Sequence, residues 1–140
     1  MKRVFIDTNV LIDYLGHRES FYVEAAVIFS LAKNKKIQLL VSSLSIVTAS
    51  YVLKRHYSTN HELIIEDFER LIELCHITTI DVSTIMSAVD SAFKDFEDAV
   101  QHFSALSASA DVIVTRNEVD FKESLKPVMS PTAFLSSLLP

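Results

Sequence analysis

The stretch Val4-Phe5-Ile6-Asp7-Thr8-Asn9-Val10-Leu11-Ile12-Asp13 decides the fold of this chain. Three β-favouring apolar residues run without alternation into an aspartate, the pattern of a strand buried on both faces that ends in a polar turn. Further apolar runs follow at Ile37 to Val41, Ile77 to Ile80 and Val112 to Val114, with a weaker one at Lys126 to Met129. Between them, apolar residues at helical spacing predict helices over Glu19 to Ala32, Ser45 to Arg55, Asn60 to Cys75, Ser83 to Val89, Asp95 to Leu106 and Pro131 to Leu139. Ser45, Ser83 and Ser130 are the expected N-caps, and Pro131 suits a first helical position. Strand and helix alternate, so a layered α/β domain with a mostly parallel sheet is expected over residues 1–140.

Composition narrows the function classes. The 140 residues are 49% hydrophobic and 22% charged, as in a globular domain, and contain no repeat or low-complexity tract. A single glycine leaves no Gly-rich phosphate loop. The lone Cys75 lies in an apolar stretch and reads as a buried, inert thiol; it offers neither a disulfide nor a zinc pair. No apolar run approaches the ~18 residues of a membrane span, so a cytoplasmic protein is expected. The net charge of −5 argues against holding nucleic acid by bulk electrostatics. An enzyme acting on nucleic acid through a metal remains compatible, because a bound cation inverts the local charge.

In a parallel sheet, ligands bind beyond the carboxyl ends of the strands. That rule selects Asp7-Thr8-Asn9 after the first strand, Ser42-Ser43-Leu44-Ser45 after the second, and Thr115-Arg116-Asn117 with Asp120 after the fourth. Asp7 suits a hard cation such as Mg²⁺ or Mn²⁺, which takes oxygen ligands and keeps several waters; it equally suits the N-cap of a short helix. Asp95-Phe96-Glu97-Asp98 holds three acids in four residues. Capping and the helix dipole account for one or two of them, with Asp95 the natural cap. Asn117 and Asp120 could share one helical face. Arg116 and Lys122 flank this acidic loop, as phosphate contacts or as ordinary solvated surface. His102 lies four residues after Asp98, but no HExxH or clustered histidine pair exists.

Taken together, these segments resemble the PIN-domain family, which includes the VapC-type ribonuclease toxins of toxin–antitoxin pairs. The opening Val4 to Asp13 is similar to the family's first strand and turn. Asp-Phe-Glu-Asp-Ala (95–99) resembles the helix bearing its central aspartate. Ala110 to Asn117 followed by Asp120-Phe121 resembles its closing strand and acidic loop, and Val128 to Leu135 its usual ending. The resemblance implies a three-layer α/β/α domain and a Mg²⁺- or Mn²⁺-dependent endoribonuclease that leaves a 5′-phosphate. Asp7, Asp98 and Asp120 would hold metal or position water. Asn117 stands where many members carry a further aspartate. Thr8, Asn9, Thr115 and Arg116 would touch phosphate or support the ligands. A homodimer and a small antitoxin partner are also implied.

One position departs from the pattern. Where many nuclease members carry a glutamate after the second strand, this chain has Thr48, and Glu97 is the nearest candidate to supply the missing charge. A catalytically weakened or inactive binding module is therefore the alternative. Two rival phosphohydrolase readings fail on sequence. An aspartyl nucleophile of the haloacid-dehalogenase type wants an acid two residues after Asp7, where Asn9 stands; a receiver domain wants an acidic pair on the first strand.

Overall fold

The computed structural model describes residues 1–140. Strand β1 (Lys2–Ile6) leads into α1 (Thr8–Leu15), α2 (Tyr22–Lys33) and β2 (Ile37–Ser42). Then follow α3 (Ser43–His56), α4 (His61–Leu74), β3 (His76–Thr78), α5 (Val82–Val89) and α6 (Phe96–Ser107). The chain closes with β4 (Val112–Val114), a 3₁₀ turn (Glu118–Phe121), β5 (Val128–Met129) and α7 (Pro131–Ser137). All pairings are parallel, in the order β3-β2-β1-β4-β5.

The period of two along the strands builds two cores. Val4, Ile6, Leu39, Val41, Val112 and Val114 face one side, where they meet Leu11 of α1, Phe29 of α2, Ala49 of α3, Leu71 of α4 and Phe134 of α7. Phe5, Leu40 and Ile113 face the other side, against Ala105 of α6 and Phe121. Ala88 of α5 packs in turn on Ala99 and Val100 of α6. With both faces covered, apolar residues fill both sides of the strands, which is why the sequence shows runs instead of alternation. The result is the expected three-layer α/β/α domain.

Several boundaries differ from expectation for identifiable reasons. Helix α3 begins at Ser43, because Ser42, the last residue of β2, caps it through the Ser45 N–H at 3.0 Å. Ser45 is thereby freed from capping and is fully buried. Helix α5 is capped by Asp81 in place of Ser83, in a reciprocal capping box with Thr84. In α4 the buried stripe runs through Ile64 and Leu71, while Leu63 and Ile72 are 50% and 67% exposed. Asn60, Asp95 and Ser130 cap α4, α6 and α7.

The strand order changes direction between β1 and β4. From β1 the chain moves outward to β2 and β3, then returns to the other side of β1 for β4 and β5. Crossovers diverging from such a point leave a crevice beyond the carboxyl ends of the two central strands. Asp7 and Thr115 are the first residues past β1 and β4.

Candidate metal centre

Asp7 is only 6% exposed and caps α1, its Oδ1 accepting the Thr8 N–H at 2.8 Å. The cap uses only one of the two carboxylate oxygens, and polar neighbours occupy the remaining acceptor positions. Oδ1 also accepts the Gln101 amide at 3.2 Å, while Oδ2 accepts the Thr115 hydroxyl at 2.9 Å and the Asn9 amide at 3.3 Å. Burial pushes the Asp7 carboxyl above the ordinary aspartate range, against the hydrogen bonds of Gln101, Thr115 and Thr8, and the charge of Asp120 adds to the rise.

The acidic start of α6 faces the same region. Asp95 caps the helix by accepting the Asp98 N–H at 2.9 Å. The half-buried Asp98 carboxyl is pushed up to about 7, first by burial, then by the charges of Asp7, Asp95, Asp120 and Glu97. A helix N-terminus normally holds a carboxylate down; here desolvation and like-charge repulsion outweigh it. Glu97 is raised by burial and then by Asp7 and Asp95. Asp98 and Asp120 line one cleft of about 200 Å³, together with Asp95, Lys94 and Lys122. Asp7 and Asp98 thus both feel the charge of Asp120, and Asp98 and Glu97 that of Asp7, although Asp7 itself lies outside the lining of this cleft.

The supporting residues divide. Thr8, Asn9 and Thr115 touch the Asp7 carboxylate, and Asn9 also donates to the Thr115 hydroxyl at 3.3 Å. Asn117 is exposed and opens the 3₁₀ turn bearing Asp120, its N–H bonded to Thr115 Oγ1 at 3.0 Å. Arg116 turns away from the acids. Its guanidinium makes two hydrogen bonds to the buried Asp13, at 2.6 and 3.1 Å, and lies 3.8 Å over the Phe21 ring. Thr48 is half-buried on α3. His102 is 1% exposed, and its Nε2 accepts the Leu125 N–H at 3.1 Å. Burial lowers its pKa to about 4. It is thus a neutral anchor for the loop beside the cleft.

Gln101, which the sequence reading passed over, lies at the centre of the polar floor. It is fully buried and its amide reaches Asp7, Thr8 and Ser45. The available signal was a glutamine within the apolar sequence Ala99-Val100-Gln101-His102-Phe103 of α6. A long amide at a core position needs buried partners.

The donor set suits a hard divalent ion. It is all oxygen and carries several carboxylates, and burial followed by like-charge repulsion raises Asp98 to about 7. No three His, Cys, Asp or Glu side chains close into a direct chelate. Mg²⁺ and Mn²⁺ can bind through one or two carboxylates and keep several waters.

A family model described as PIN domain matches residues 3–118. No curated protein matches the sequence. Among solved structures, a toxin–antitoxin complex from Klebsiella pneumoniae is similar at 20% identity and a TM-score of 0.66, covering 91% of this chain and 97% of that one. FitAcB from Neisseria gonorrhoeae is similar at 15% identity and 0.66, covering 92% and 98%. The VapC20 toxin of Mycobacterium tuberculosis, described as cleaving the sarcin–ricin loop, is similar at 14% and 0.61, covering 79% and 86%. At these identities the structural likeness speaks for the fold.

Proposed function

The chain belongs to the PIN-domain family, and from that premise we propose that it is a metal-dependent endoribonuclease and the toxin of a toxin–antitoxin pair. The observation that carries the reading is the gathering of acids at the crevice: the buried Asp7 and the half-buried Asp98 are both raised, first by burial and then by neighbouring carboxylates, and Asp98 and Asp120 line one cleft. A cation in the crevice would relieve that crowding beyond what Lys94 and Lys122 supply.

In this reading Asp7, Asp98 and Asp120 hold Mg²⁺ or Mn²⁺, with Glu97 supplying further charge. When bound, the ion neutralises the phosphate and lowers the pKa of water, the two uses that phosphodiester hydrolysis requires. Thr8, Thr115 and Asn9 keep the Asp7 carboxylate in one orientation through hydrogen bonds. Asn117 stands at the start of the turn bearing Asp120 and offers its amide to water or phosphate. Asp98, beside Asp120 on the cleft wall, can orient the attacking water. Lys94 and Lys122 on the cleft wall attract the RNA backbone, so that a chain of net charge −5 still receives its substrate locally. Arg116, committed to Asp13, contributes through the loop that it holds.

The partners follow from the same reading: RNA as substrate, an antitoxin over the acidic crevice, a second copy as homodimer, and a cytoplasmic setting. The Klebsiella pneumoniae relative, described as a toxin–antitoxin complex, supports the antitoxin. Thr48 favours a second reading, a PIN-fold module without cleavage that binds its partner alone.

Incubating structured and single-stranded RNAs with Mn²⁺ separates the two. The nuclease reading expects 5′-phosphate products from wild type, abolished by chelator and by Asp7→Asn. Wild-type inactivity across RNAs with retained partner binding would establish the module instead.

A further inference from the structure

We propose that Gln101 is a positioning residue for Asp7, its amide turned by Ser42 so that Nε2 holds one oxygen of the Asp7 carboxylate. The inference rests on the metal-dependent reading of the crevice. Ser42 Oγ accepts the Ser45 N–H as the cap of α3, at 3.0 Å. Its single hydrogen faces two acceptors, Ser45 Oγ at 3.2 Å and Gln101 Oε1 at a shorter contact, and the shorter one takes it. That donation fixes which end of the amide is which. With Oε1 on Ser42, Nε2 faces Ser45 Oγ at 2.7 Å, Thr8 Oγ1 at 3.1 Å and Asp7 Oδ1 at 3.2 Å. The reverse orientation would set an amide oxygen against a carboxylate oxygen.

The amide has two N–H groups for three acceptors, so one hydrogen is shared. Thr8 and Ser45 absorb the sharing, since their hydroxyls also bond each other at 2.7 Å. Gln101 thereby ties the cap of α3, the first residue of α1 and the Asp7 carboxylate to the helix that carries Asp98 three residues earlier. On Asp7, Gln101 and the Thr8 N–H occupy Oδ1, leaving Oδ2 to the Thr115 hydroxyl and the part-buried Asn9 amide. A charge-free donor on the inner oxygen orients the carboxylate without a cation that would compete with the metal.

The test measures Mn²⁺ binding by calorimetry, RNA cleavage as kcat and KM, and thermal melting, for wild type, Gln101→Met, Ser42→Ala and the double variant. Loss of a residue that orients a metal ligand weakens metal binding by about tenfold or more, so Gln101→Met is expected to raise the Mn²⁺ Kd by about that factor and to lower kcat with KM for RNA unchanged. Ser42→Ala, which does not touch Asp7, is expected to reproduce part of this loss and to add nothing in the double variant. It also carries the test alone if Gln101→Met does not fold. Variants that melt earlier yet bind Mn²⁺ and turn over as wild type would show a merely structural glutamine and overturn the inference. So would fully additive losses. A wild-type protein without Asp7-dependent Mn²⁺ binding would overturn the metal-dependent reading and this inference with it.

Discussion

Replacing Asp98 by asparagine is expected to stabilise the metal-free protein at about pH 8 while leaving its stability near pH 4 almost unchanged. The carboxyl titrates at 3.8 when unperturbed and at about 7 in the fold. A raised acid pKa contributes stability that is fully present below the unfolded value and is lost as pH rises through the folded value. A shift of about three units corresponds to at most about 4 kcal/mol. The side chain is only half-buried, and solvent screening reduces this to about 1–2 kcal/mol. Asparagine keeps the shape and removes the charge, and no hydrogen bond of the Asp98 side chain is lost. Urea denaturation in chelator, at both pH values, gives the difference between variant and wild type directly. For a chain of this size, about 1–2 kcal/mol corresponds to a melting shift of roughly 3–6 °C. Saturating Mn²⁺ should reverse the order by stabilising wild type more than the variant. An asparagine variant no more stable than wild type at pH 8 would refute the crowding of charge on which the reasoning depends.

His102 should act with the opposite sign. Its pKa is lowered from 6.5 to about 4, so its contribution is present above 6.5 and lost as pH falls toward 4, and His102→Phe should flatten that part of the stability profile; an unchanged slope would contradict this. Asp13 is 1% exposed and paired with Arg116 at 2.6 Å and Arg18 at 3.5 Å. Removing one partner of a buried pair costs about 3–5 kcal/mol, so Asp13→Asn should lose stability of that order in urea, and a loss below about 1 kcal/mol would show the network to be dispensable. Cys75 is buried, with its thiol pushed up to about 12; a thiol reagent at neutral pH should modify it only in denaturant, and rapid labelling of native protein would contradict its burial.

Much of the fold was legible because hydrophobic runs of strand length have few alternatives in a chain with one glycine. Each expected strand segment forms a strand, and the Asp7 neighbourhood lies where a parallel sheet puts its crevice. Less legible was anything set by side chains meeting across the fold. Ser45 looked like a cap by spacing, yet Ser42 takes that role because β2 turns into α3 with no intervening loop. Leu63 and Ile72 fit a helical stripe in α4, but the axis of burial passes through Ile64 and Leu71. The attachment of Arg116 to Asp13 spans 103 residues, and no local pattern marks it. Gln101 shows the same limit: its partners lie on α1, β2 and α3, and only the folded chain assembles them.

The most direct test of the metal centre is a crystal structure of wild-type protein grown with Mn²⁺ and measured at the manganese edge. An anomalous peak in the crevice beyond β1 and β4, with Asp7, Asp98 and Asp120 around it directly or through water, is the predicted result. A fully occupied crystal with manganese only at surface sites and none among these three acids would contradict the account.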